Sequence, residues 1–227
     1  NLRRCALDRV KLGEIAELTV GFVGTMAQHY ADDGVPFLRS LNVKPFEIET
    51  NDLKYVSEDF ASTIAKSTLH SGDLVIVRTG NPGTCSYVPE MFDGANCSDL
   101  VIVRPDTRKV NPRYLEAFIN TWGDSQISNA KVGAIQKHFN VSSAQDFIVM
   151  LPERSVQDKV AKLLTDLNAM ISNNKKLMTE LKETARLIYD YWFTQFDFPD
   201  ENGKPYRSSG GKMVWSEDLK REIPDSW

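Results

Sequence analysis

The chain has 227 residues, with 27 Lys plus Arg against 31 Asp plus Glu and a formal charge of −4. Its apolar share of 41% and charged share of 26% are those of an ordinary soluble globular protein and argue against a disordered tail, a fibre or a polybasic arm. No apolar run approaches the ~20 residues of a membrane helix, and the first residues lack a signal-peptide core. Three widely spaced cysteines, Cys5, Cys85 and Cys97, suggest a reducing cytoplasm rather than a disulfide framework.

Up to about Met150 the chain reads as short elements separated by turn chemistry. Residues 35–41 read as an edge-like strand that tolerates Pro36 near its start. Residues 73–78 form a β-branched run too short for a helix, followed at once by Gly80-Asn81-Pro82-Gly83. Residues 100–103 repeat the pattern, and 145–151 offer another strand. Helices are predicted around 57–66 and 111–122, the second with Asn111 as N-cap and Pro112 at its first position. Strands with a few interspersed helices and no regular β-α alternation predict an α+β domain over 1–151.

After Pro152 the pattern changes. Val160, Leu164, Leu167, Ile171, Asn174, Met178, Leu181, Ala185, Ile188 and Trp192 keep a spacing of three and four, without Gly or Pro from Glu153 to Phe198. This predicts one long coiled-coil-forming helix over 152–197; roughly 40 helical residues would span ~60 Å at 1.5 Å per residue. Leu163, Met170 and Leu177 widen the stripe beyond a two-stranded seam, and Asn174 is a polar residue on it, of the kind that fixes register. Residues 198–227 read as a polar connector with turns.

Catalytic motifs are weak. Asn111-Pro112-Arg113-Tyr114 resembles the Asn-Pro-Pro-Tyr signature of adenine methyltransferases, but its third position differs and no Gly-rich turn precedes it; a capped helix start is the simpler reading. Asp200, Asp218 and Lys220 superficially fit a magnesium-nuclease pattern, yet lie in a turn-rich polar segment instead of on rigid strands. There is no Walker loop, and His29, His70 and His138 lack metal-ligand spacing. Binding chemistry is better represented. Residues 125–145 and 75–89 are free of acids, and Arg104, Arg108, Lys109 and Arg113 cluster against Asp106 alone. Arg, Lys, Asn and Gln match base edges and phosphates, which makes Arg39, Asn42, Arg78, Thr79, Asn81, Lys131, Gln136, Lys137 and His138 the candidate DNA-binding residues.

The order of motifs resembles the specificity (S) subunit of type I restriction-modification enzymes. The matching elements are Leu12-Gly13-Glu14-Ile15, then Phe37-Leu38-Arg39-Ser40-Leu41, then Gly72-Asp73-Leu74-Val75-Ile76-Val77-Arg78-Thr79-Gly80. They continue with Gly133-Ala134-Ile135-Gln136 and with Leu151-Pro152 followed by Val156-Gln157. The Ile-Pro-x-x-Trp that normally precedes the first domain stands instead at Ile223-Pro224-Asp225-Ser226-Trp227, so the order corresponds to one structural repeat. The resemblance implies a non-catalytic subunit whose recognition domain reads one half of a split double-stranded DNA target. Its helix would pair antiparallel with a second copy, through Leu164, Leu167, Ile171, Asn174, Met178, Leu181, Ile188 and Trp192. It further implies docking of methyltransferase subunits that use S-adenosylmethionine and, through them, of ATP- and magnesium-dependent restriction subunits. This chain would bind no cofactor, and its setting would be a prokaryotic cytoplasm. A helical scaffold without a DNA role, or a magnesium-dependent nuclease, are the alternatives.

Overall fold

The computed structural model describes residues 7–129 and 140–227. It divides into two compact units, one up to Asn168 and the other spanning Ala169–Trp227.

The first unit is α+β. Its central antiparallel sheet has the order Ala16–Val20, Leu100–Pro105, Leu74–Val77, Cys85–Tyr87. The apolar runs at 74–77 and 100–103 do not alternate because both faces of the sheet are covered, the situation that makes strands uniformly apolar. On one face Leu74, Ile76, Val101 and Val103 pack on Leu115, Phe118 and Ile119 of the helix Pro112–Asn129. On the other, Val75, Val77, Leu100 and Ile102 meet Leu38, Leu69, Val88 and Phe92. The helix starts as its sequence predicts: Asn111 Oδ1 accepts the amides of Arg113 and Tyr114 at 2.9 and 3.4 Å, and Pro112 follows the cap. Likewise Ser57 Oγ accepts the Phe60 amide and caps the helix Glu58–Thr63, shorter than the predicted 57–66 because a 3-10 turn, Ala65–Ser67, follows.

Helix Pro112–Asn129 also closes the sheet's exposed edge. Asn120 accepts the Cys85 amide at 3.0 Å and donates to the Cys85 carbonyl at 2.9 Å, and Glu116 accepts the Tyr87 amide at 2.8 Å. The edge strand's free backbone groups are thereby occupied, which removes a template for pairing with other chains. Glu116 is buried, Arg113 ion-pairs with it at 3.2 Å, and the Arg113 guanidinium lies 3.7 Å over the Tyr87 ring.

A smaller sheet has the order Asn96–Cys97, Val35–Leu38, Lys54–Val56, Tyr30–Ala31. Val35–Leu38 is therefore internal, not the edge strand expected. Pro36 is tolerated because the neighbouring Asn96–Cys97 pairs only with Phe37 and Leu38, beyond it. The strand also ends at Leu38, since Ser40–Asn42 turns into a 3-10 helix. A two-stranded ribbon joins Asp8–Lys11 to Ile148–Leu151, and the short helix Val141–Gln145 takes the start of the predicted 145–151 strand.

The long helix is continuous over Arg154–Tyr189, 36 residues, or ~54 Å. Its first turns are fastened within the first unit. Gln157, 2% exposed, accepts the Asn111 amide and donates to the Pro152 carbonyl, both at 2.8 Å. Asp158 binds Asn111 and Arg154, and Arg154 reaches the Thr107 carbonyl. The helix stops eight residues before the expected Asp197. A π-helical turn, Asp190–Thr194, widens its end, and Phe196 adopts a left-handed φ of 63°.

In the second unit the expected polar connector folds into a hairpin, Met213–Ser216 with Arg221–Pro224. Phe193, Phe196, Phe198 and Tyr206 form an aromatic cluster around Trp227, which stacks on Phe198 at 5.7 Å. Arg221 lies over Phe196 and donates to the Thr194 carbonyl, and Asp197 accepts the amide and hydroxyl of Ser208. These strands are hard to read in the sequence because each is only four residues long and partly buried.

Two outcomes are expected from this packing. Gln157→Ala leaves a buried amide and a buried carbonyl without partners, so it should lower stability by about 2 kcal/mol. Urea midpoints with an unchanged slope would show it, and an exposed control, Lys159→Ala, should stay near wild type. The second concerns pH. Burial pushes the Glu116 carboxyl up, against the lowering effect of the Tyr87 amide and Arg113. The folded chain then holds this proton more tightly than the unfolded chain, so stability falls as pH rises from the ordinary carboxylate value through the raised one. Denaturation of wild type and Glu116→Gln across that window should show the wild type losing ground to the variant as pH rises; a constant difference would contradict this.

Candidate nucleic-acid interface

One segment, 96–105, serves both sheets of the first unit. Asn96–Cys97 runs parallel to Val35–Leu38 in the small sheet, and Leu100–Pro105 crosses into the central sheet beside Leu74–Val77. The turn between them is made at Asp99, whose φ is +47°. Aspartate is one of the few residues besides glycine that tolerates this left-handed region. The Asp99 amide donates to the Phe22 carbonyl and the Ser98 amide to the Leu38 carbonyl, which fixes the corner from both sides.

This register decides where the candidate arginines emerge. Cys97 pairs with Leu38, so Arg39 leaves the small sheet next to Ser98. Leu100 pairs with Val77, so Arg78 leaves the central sheet next to Asp99. The two arginines thus flank one corner although 39 positions separate them in the sequence. Neither is free. Arg78 Nη1 donates to Asp99 at 2.5 Å, with the Thr79 hydroxyl 3.5 Å from the same carboxylate. Arg39 Nη2 donates to the Asp52 carboxylate at 3.0 Å and to the Asp52 carbonyl. Asp52 also pairs with Lys54 at 2.8 Å, and these two partners, Lys54 first, hold its carboxyl below the usual range. Asp52, too, has a left-handed φ, 54°. The Nε–H groups of Arg39 and Arg78 are buried and donate to no partner among the described residues.

The other predicted residues separate into three groups. Asn81 is exposed on the Gly80–Gly83 turn beside Arg78, its amide folded back on Thr84 Oγ1 at 2.9 Å. Asn42 needs correction as a DNA contact: it is 1% exposed, because its side chain closes the 39–51 loop. Its oxygen accepts the Arg39 amide, and its nitrogen donates to the carbonyls of Glu49 and Asn51. Lys131, Gln136, Lys137 and His138 lie outside the described residues. The basic cluster after the central strand is committed to internal partners. Arg104 faces Asp73 and Glu17, Arg108 chelates Asp106, Lys109 reaches the Glu14 carbonyl, and Arg113 holds Glu116. Asp52 and Asp99 were not read as site residues, although an Asn-Asp pair and a Ser-Asp pair ahead of apolar strands are visible turn signals.

Among the described residues no group of three His, Cys, Asp or Glu is placed to hold a metal. Asp200 accepts the amides of Asn202 and Lys204 within its own turn, and Lys220 pairs with Glu217. Cys85 and Cys97 are buried free thiols whose pKa values burial raises, so neither is an activated nucleophile. No described helix is long and apolar enough to cross a membrane.

Solved structures of similar fold come from type I R-M systems. A chain of a type I R-M system solved for its complex assembly and conformational transition superposes with a TM-score of 0.57 at 15% identity, over 82% of this chain and 44% of that one. The type I S subunit of M. genitalium gives 0.56 at 14% identity, over 78% and 43%. This chain has the fold of type I specificity subunits. In sequence it is 24% identical over 212 residues to the MjaX specificity subunit of Methanocaldococcus jannaschii, 89% of this chain and 46% of that protein. It is 23% identical over 140 residues to the HindI specificity subunit of Haemophilus influenzae, 59% and 30%. The chain therefore spans less than half the length of the specificity subunits it matches. No protein-family model matches it.

Along the long helix, the residues expected to pack on a partner stand largely uncovered. Leu167, Ile171, Met178, Leu181 and Ile188 are each exposed by 45–58%, and Leu163, Met170 and Leu177 beside them by more than half. Leu164 is half-buried and Asn174 exposed.

Proposed function

We propose that this chain is a DNA-specificity module of a type I restriction-modification system, equivalent to one half of a specificity subunit. The first unit reads one half of a bipartite duplex target. The helix pairs antiparallel with a second copy, sets the distance between half-sites and docks methyltransferase subunits. Those subunits would supply S-adenosylmethionine-dependent methylation, and restriction subunits joining through them would supply ATP-driven cleavage. The chain itself contributes recognition and no catalysis, in a prokaryotic cytoplasm.

The observation that carries this reading is the uncovered apolar stripe on a 36-residue helix that continues directly out of a recognition-type domain. Soluble monomers seldom leave so long a stripe to water. A two-fold pair of such helices would bury it and would make the DNA target an inverted repeat.

The test is DNA binding by the purified chain over a salt series. Affinity should fall steeply with salt, since each phosphate contact releases counterions. Replacing Lys131 and Lys137 together with Ala should flatten the log–log slope by about 0.9 per lost contact and weaken binding to all sequences alike. Salt-independent or undetectable binding would instead favour a scaffold without a DNA role.

A further inference from the structure

The corner at Asp99 carries an inference that rests on the proposed DNA reading and sharpens it. Arg78 has five N–H donors in a planar fork. One edge is engaged at Nη1 by Asp99, and Nε is sealed in the protein, so the remaining outer edge is the part left for a ligand. An unpartnered arginine on a polar surface is drawn to any phosphate, which gives affinity without sequence information. An arginine whose charge is already balanced and whose rotamer is already fixed loses that attraction, and has less freedom left to lose on meeting a base. The backbone at Asp99 is no reason for a carboxylate, because glycine would satisfy φ +47° with less strain. The same arrangement recurs at the end of strand Val35–Leu38 in the small sheet, where Asp52, also left-handed, holds Arg39.

We infer that Asp99 is a specificity-determining positioning residue, which presents the outer edge of Arg78 to a guanine in the major groove and cancels the charge that would draw it to phosphate. Guanine is the base whose paired acceptors, O6 and N7, match two guanidinium donors.

The experiment is selection from a randomised duplex library by the full chain, run in parallel with Arg78→Ala, Asp99→Asn and Asp99→Gly, together with salt titrations on a non-specific duplex. Asparagine keeps the left-handed backbone and an acceptor without the charge; glycine fits the backbone and removes the acceptor. Wild type should enrich a motif, and Arg78→Ala should lose a guanine from it. Both Asp99 variants should weaken preference at that same guanine by about tenfold while the other positions stay selected. Their non-specific binding should tighten at low salt, with a slope steeper by about 0.9. A brace needed only for folding would instead weaken every position together. The inference is overturned by that uniform loss, by an unchanged motif in both Asp99 variants, or by loss of cooperative melting in both. A wild-type chain that enriches no motif overturns the DNA reading itself, and the inference with it; a motif untouched by the Asp99 variants removes the inference alone.

Discussion

The first unit depends on a single segment being shared by two sheets. Residues 96–105 begin in the small sheet and end in the middle of the central one, and the change of sheet is made at Asp99. From that corner follow the burial of both faces of strands 74–77 and 100–103, the packing of Leu38 against the central sheet, and the emergence of Arg39 and Arg78 side by side. Parallel pairing of Asn96–Cys97 with Val35–Leu38 joins segments some sixty positions apart. Long-range pairing of this kind is slow to form, because loop closure precedes the contacts that reward it.

A second dependence lies where the domain becomes a helix. Gln157 accepts the amide of Asn111, the cap of helix Pro112–Asn129, and donates to the Pro152 carbonyl just ahead of its own helix, so the direction of the helix start is set by two hydrogen bonds. Arg154 and Asp158 add polar contacts around it. This gives a physical reason for the Leu-Pro followed by Val-Gln that opens the helix: the proline ends the ribbon with a free carbonyl, and the glutamine collects it.

Much of this was legible in the sequence, for local reasons. The β-branched runs at 74–77 and 100–103, the Ser57 and Asn111 caps and the 3-4 spacing of the long helix each depend on neighbours within a few residues. What sequence reasoning missed is non-local. The acid partners of Arg39, Arg78 and Arg104 lie 13 to 87 positions away, so basic residues that looked available are in fact engaged. Asn42 has the right chemistry for a base contact, but its donors and acceptor are spent on the loop that it closes. The hairpin after Phe198 escaped because its strands carry no apolar alternation, and the aromatic rings that contact Trp227 come from Phe193, Phe196 and Phe198, outside those strands.

The central claim is that a recognition unit and a ruler helix work as one module, and changing the ruler alone tests it. Seven residues inserted next to Asn174 preserve the apolar stripe, because a heptad is nearly two turns. They lengthen the helix by roughly 10 Å at 1.5 Å per residue. With base pairs rising 3.4 Å each, the unread gap between half-sites should widen by about three base pairs while the half-site sequences stay the same. Selection of duplex targets by the lengthened chain measures this directly. A gap that stays unchanged, at undiminished affinity, would contradict the account.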